Sequence, residues 1–148
     1  MNKIDGAFDK FLEGYACSQA ILSEYCEKFG LDRDIAMKLA AGFAAGMRMG
    51  GTCGAVTGAY MVLGLQYAGE NCGKPEGRKD VYQAVCEFTQ RFIAIHNSIE
   101  CKSLLGLDIS TKEGMQTAMQ KNLFKTICPK YVKTSAALLE EMHIGAGS

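Results

Sequence analysis

Apolar residues recur at the helical period along most of the chain, and no stretch alternates as a half-buried strand would. Lys3–Glu13 places Phe8, Phe11 and Leu12 on one side of a first helix, which Gly14 interrupts. Residues 16–29 predict a second helix, with Cys17, Ile21, Leu22, Tyr25 and Phe29 near the period and Gly30 as its stop. Asp32 is placed to cap a third, whose apolar positions are Ile35, Leu39 and Phe43. Gly42, Gly46, Gly50 and Gly51 then loosen the chain into a loop. Residues 53–67 predict a central helix. Its run 59–65 has no polar face, so this helix is expected to be buried all round. Residues 69–77, with Asn71, Gly73 and Pro75, read as a loop. Residues 78–95 are the clearest amphipathic helix, with a buried stripe of Val81, Ala84, Val85, Phe88, Phe92 and Ile95. Ser98 or Glu100 opens a short turn holding Cys101, Leu104 and Leu105, and Ser110 is placed to cap a helix over 111–120. Pro129 suits a first helical position, which makes Cys128 the N-cap of a last helix over 128–143, before a frayed tail at 145–148. The expected fold is all-α, one domain over 1–148, a compact bundle of about five to seven helices around the buried central one.

Composition narrows the partners. Lysine plus arginine equals aspartate plus glutamate, 16 each in 148 residues, and no basic cluster stands out. Nucleic acid and anionic membranes are therefore poor partners. The N-terminal residues lack the apolar core of a signal peptide, and the longest apolar run falls short of the ~20 residues that span a bilayer. A cytoplasmic protein is expected. Seven cysteines are many for this length. In a reducing compartment they point to metal binding, redox chemistry or plain burial rather than to a disulfide framework. No C-x-x-C spacing is present, so neither a thioredoxin-type pair nor a zinc knuckle is written locally.

The glycine-rich loop leads directly into Cys53. Thr52 is a good N-cap, which would make Cys53 the first helical residue, where the helix dipole lowers a thiol pKa. Gly54 and Gly58 lie on one helix face and leave room for another backbone or a bulky inorganic group. Cys17, Cys101 and Cys128 also fall at expected helix starts. Cys26 and Cys86 lie inside helices, where free cysteine is usually core, and Cys72 is an exposed loop thiol. Four thiolates converging would suit a Cys₄ iron–sulfur or zinc site; two close pairs would suit dithiol–disulfide chemistry.

The order Gly14-Tyr15-Ala16-Cys17-Ser18-Gln19-Ala20-Ile21, then Cys53-Gly54-Ala55-Val56-Thr57-Gly58, then Cys101 and Cys128, resembles the C_GCAxxG_C_C family of redox-active proteins. The resemblance covers roughly residues 14–132. It implies that Cys17, Cys53, Cys101 and Cys128 are the family cysteines and that the activity is redox, with no substrate named. The chain departs at Ala16-Cys17-Ser18, where the family often has Asn-Cys-Ala; alanine lacks the capping side chain that asparagine supplies.

Other residues carry weaker signals. Arg48 is the nearest cation to Cys53 in sequence, suited to a thiolate or an anion and equally to solvent. His96, near Cys101, could donate a proton or ligate, although a histidine there more often stabilises a helix C-terminus. His143 reads as surface. Met47, Met49 and Met61 read as core filling ahead of soft-metal ligands. Glu24, Glu27, Glu140 and Glu141 read as solvated faces. No histidine base sits near a serine or threonine, and no phosphate loop follows a strand. Three functions compete: a redox protein using the four cysteines with an unidentified partner, a zinc- or copper-binding module, and a plain helical interaction domain; a homo-oligomer is open under each.

Overall fold

A computed structural model gives the structure of residues 2–145. Asn2 starts helix α1 (Lys3–Glu13) by accepting from the Asp5 N–H at 2.8 Å, and Gly14, at φ 114°, ends it. Helix α2 (Cys17–Tyr25) runs on into a tighter turn, Cys26–Phe29, which Gly30 closes at φ 80°. Asp32 caps α3 (Arg33–Ala40) through the Ile35 N–H. Then come α4 (Gly54–Tyr67), α5 (Pro75–His96), the single turn α6 (Cys101–Leu105), α7 (Lys112–Gln120), the single turn α8 (Leu123–Thr126) and α9 (Cys128–Glu141). Seven of these have eight or more residues, and the only strand-like pairing among the described residues is one bridge, Thr52 to Glu100. The class is all-α, as the periodicity requires. None of the described helices is long and apolar enough to cross a membrane.

Helix α2 packs most extensively on α4, and α1 on α9, with α5 closing the other side of α4. The main core joins Ile21 and Leu22 of α2, Val56, Val62 and Leu63 of α4, Phe88 and Phe92 of α5, and Val132 and Leu139 of α9. The α2–α4 approach is close because of two glycines. A Cβ at Gly58 would lie 2.8 Å from Ser18 O and 3.0 Å from Ser18 Cα, so only glycine lets the two backbones meet there. A smaller cluster of Cys101, Ile109 and Ala118, with Leu105, Met115 and Phe124 against it, forms a second layer from α6, α7 and α8.

Several expectations are corrected. Ile35, Leu39 and Phe43 are 53%, 55% and 42% exposed, and α3 buries Ala36 and Ala40 instead, because small side chains let it lie close to α2. Helix α4 is buried all round only over its first half, from Gly54 to Ala59; Met61 and Leu65 border an open apolar groove. Helix α5 begins a turn earlier than expected, with Pro75 as its first residue, and Ile95 is exposed. Its stripe is Ala84, Phe88 and Phe92, which leaves Cys86 on the exposed side rather than in the core. Leu12 and Met49 are also exposed. Glu24 is mostly buried and ion-paired with Lys10, in space left by Gly6. Thr111, not Ser110, caps α7, and Cys128 is the first residue of α9 with Ile127 before it. Gly145 is tied to Gln66 Oε1 at 3.0 Å; the rest of the expected frayed tail lies outside the described residues.

Candidate functional site

The segment over 49–53 is pinned to the start of α6 by its backbone. The Cys53 N–H donates to Ile99 O at 2.7 Å and the Cys101 N–H to Gly51 O at 2.6 Å, on either side of the Thr52–Glu100 bridge. Cys53 and Cys101 are thereby held in neighbouring strands of chain. Cys53 is the N-cap of α4, not its first helical residue, and its carbonyl accepts from Val56 and Thr57. Thr52 is spent on the bridge. Cys17 opens α2, directly against the start of α4. A Cβ on Gly54 would overlap Cys17 Sγ and lie 2.9 Å from Ala44 Cα, so glycine at this position admits the sulfur. Cys128 opens α9, and Tyr131, one turn on, donates to Leu104 O at 2.8 Å, tying α9 to α6.

All four helix-start cysteines line one cavity of about 150 Å³, between the main core and the second layer. The other walls are apolar residues, chiefly Phe11, Leu105, Ile109 and Phe124, with Ala44 and Ala45. Cys53 and Cys101 are buried, while Cys17 and Cys128 are half-buried. All four are free thiols. Cys26 is buried elsewhere in the core, and Cys72 and Cys86 are exposed. Gly54 borders the cavity; Gly58 does not, since it meets Ser18. Arg48 lies away from it, exposed, beside Ser110 and Lys112. His96 also lies outside it. Its Nε2 is 2.9 Å from Thr134 Oγ1, its ring packs on Phe92 and Tyr131, and burial holds its pKa down.

The thiols differ in acidity, in an order opposite to the expectation for Cys53. The Cys53 thiol donates a hydrogen bond to Cys17 sulfur, and this is the largest influence lowering Cys17 to about 7; burial opposes it, and the N–H groups of Ala45, Ser18 and Cys17 itself add to it. The same bond, with burial and the neighbouring Cys17 charge, holds Cys53 well above an ordinary thiol. Burial raises Cys101 to about 11 and Cys128 to about 12, with Cys17 acting on both.

One contributor to this geometry was invisible in the sequence. Ala45, Gly46, Met47 and Arg48 all have positive φ, 56°, 61°, 57° and 60°. They form a left-handed turn, closed by Met47 N–H to Ala44 O and Met49 N–H to Gly46 O. Each non-glycine residue there costs about 1–2 kcal/mol. Side-chain clamps hold the preceding segment: Ser18 Oγ donates to Ala40 O at 2.7 Å and Thr57 Oγ1 to Phe43 O at 2.8 Å. The Ala45 backbone in this turn is one of the influences that lower the Cys17 pKa. The four glycines signalled a flexible loop; nothing in Ala45, Met47 or Arg48 signals a left-handed turn.

Among the described residues, no group of three or more His, Cys, Asp or Glu side chains is arranged to hold a metal ion. Four cysteines without histidine or carboxylate are a donor set that both a structural zinc ion and an iron–sulfur cluster take.

An all-α fold whose helix starts bring four free thiols to one apolar cavity defines a class, the small helical proteins with a shared cysteine pocket. The family model described as "Putative redox-active protein (C_GCAxxG_C_C)" matches residues 15–142, and the chain belongs to that family. No curated protein and no solved structure matches it.

Proposed function

We propose that the protein is a cytoplasmic dithiol–disulfide redox protein in which Cys17 is the attacking thiolate and Cys53 the resolving thiol. The observation that supports this is the meeting of Cys17 and Cys53 in one apolar cavity, where their mutual interaction lowers the pKa of the first and raises that of the second. A thiol near pKa 7 is about half ionised at neutral pH, close to the optimum for an attacking sulfur. In the oxidising step, Cys17 Sγ bonds to one sulfur of a disulfide RSSR as the S–S bond breaks and RS⁻ leaves. The charge that had raised Cys53 is then gone. Cys53 gives its proton to a leaving thiolate, and its sulfur displaces the second RS⁻ from Cys17. The chain gains a Cys17–Cys53 disulfide; the substrate gains the two electrons as RSH and RS⁻. Cys101 and Cys128, neutral at pH 7, flank the couple as a reserve pair.

A second reading is favoured by the number of thiols. Exchange needs two, and four face the cavity. Cys17, Cys53, Cys101 and Cys128 would then hold an iron–sulfur cluster, which supplies one-electron transfer when bound. Purification without oxygen separates the two readings. Metal-free chain that forms one reversible disulfide, mapped by mass spectrometry to Cys17 and Cys53, supports exchange. Brown chain with iron and acid-labile sulfide supports the cluster. One equivalent of zinc, or no disulfide with any oxidant, removes both.

A further inference from the structure

The walls of the thiol cavity determine what can reach Cys17. Among the described residues, no charged, amide or hydroxyl side chain borders it; apart from the four cysteines its side chains are apolar. At about 150 Å³ it is large enough for one small ring. Apolar cavities of this size lined by leucine, isoleucine and phenylalanine stay dry and accept benzene. A carboxylate or ammonium brought here would lose its water and find no partner.

We propose that the substrate of the Cys17–Cys53 couple is a small uncharged disulfide carrying a compact apolar group of about benzene size, and that charged peptide disulfides are excluded. This rests on the dithiol reading above.

The test uses the whole reduced chain with the exposed thiols removed as Cys72→Ser and Cys86→Ser. Dipyridyl disulfide, uncharged at neutral pH, and dithiobis(nitrobenzoate), a dianion, are mixed with it in stopped flow. Each rate is divided by that of the same reagent with a small free thiol, which removes intrinsic reactivity. The expected result is a normalised preference for the uncharged reagent of at least about tenfold, equivalent to about 1.4 kcal/mol. Equal normalised rates overturn the proposal. Benzene in the buffer should raise the melting temperature of the reduced chain and slow the uncharged reagent, by binding the folded state alone. Phe124→Arg, at a half-buried wall position, should narrow the preference, and a circular dichroism spectrum checks that the variant folds. A chain that forms the Cys17–Cys53 disulfide but shows neither the charge preference nor benzene binding loses the substrate class and keeps the couple. A chain that binds benzene but forms no disulfide loses the couple, and the substrate with it.

Discussion

Replacing Cys53 by alanine should make Cys17 an ordinary thiol. The Cys53 hydrogen bond is the largest influence holding Cys17 near 7 rather than at 9.0. A hydrogen bond to a charged acceptor contributes about 1.5–3 kcal/mol, which is roughly 1–2 pKa units. The N–H groups of Ala45, Ser18 and Cys17 remain, so the Cys53→Ala midpoint should rise by more than about one unit, toward 9.0. Rate at one pH reads this poorly. For a rise of about 1.5 units, the thiolate fraction at neutral pH falls about fifteenfold, but the more basic sulfur is about fivefold more nucleophilic, so the rate drops only about threefold. The midpoint is the better readout. Short iodoacetamide pulses across a pH series, with Cys17 labelling followed by mass spectrometry, give it directly. Cys53→Ser, which keeps a donor, should fall between the wild type and Cys53→Ala. A Cys53→Ala midpoint still at about 7 would refute the reasoning and assign the acidity to the backbone alone.

Gly54→Ala puts a methyl into Cys17 Sγ and against the Ala44 backbone; a cost of about 1–3 kcal/mol in urea unfolding and a raised Cys17 midpoint are expected. Phe88→Ala empties the middle of the core and should cost about 3–5 kcal/mol, read as a lower urea midpoint at unchanged slope. Arg48→Gly relieves an exposed residue at φ 60°; unfolding should show a gain of up to about 1 kcal/mol, with the Cys17 midpoint unchanged because Arg48 lies outside the cavity. The lowered Cys17 pKa stabilises the fold fully above 9.0 and less as pH falls through about 7, whereas Cys101 and Cys128, raised to about 11 and about 12, oppose folding above 9.0. Stability should therefore rise between pH 7 and 9 and then fall, and Cys17→Ala should flatten the rising limb.

The helices were legible because most rest on local signals: Asp32 as a cap, Gly14 and Gly30 as left-handed stops, and the Phe88–Phe92 spacing in α5. The meeting of four cysteines was legible in outline, since each opens a helix and the start of α4 is deeply buried. Helix faces were less legible. In α3, Ile35 and Leu39 have the apolar character of a core stripe, yet tight packing on α2 selects Ala36 and Ala40. Cys86 looked internal because its helix is amphipathic, but it lies off the Phe88–Phe92 face. The left-handed turn over 45–48 is imposed by tertiary clamps at Ser18 and Thr57, and no local propensity announces it.

Position at a helix start does not by itself explain which sulfur is acidic. Four thiols share that position, and three of them are raised. What separates Cys17 is its supply of donors. Ala16 has no capping side chain, so the first N–H groups of α2 remain available to the Cys17 sulfur. The strained turn adds the Ala45 N–H, and Cys53 adds its thiol. Cys53 occupies an equally positive helix end, but its own N–H is committed to Ile99 O, and the Ala55 N–H alone among backbone donors favours its anion. An asparagine at position 16 would accept the Ser18 or Gln19 N–H itself; alanine leaves the Ser18 N–H to the sulfur, and the donors around that sulfur set Cys17 apart from the three cysteines whose pKa is raised.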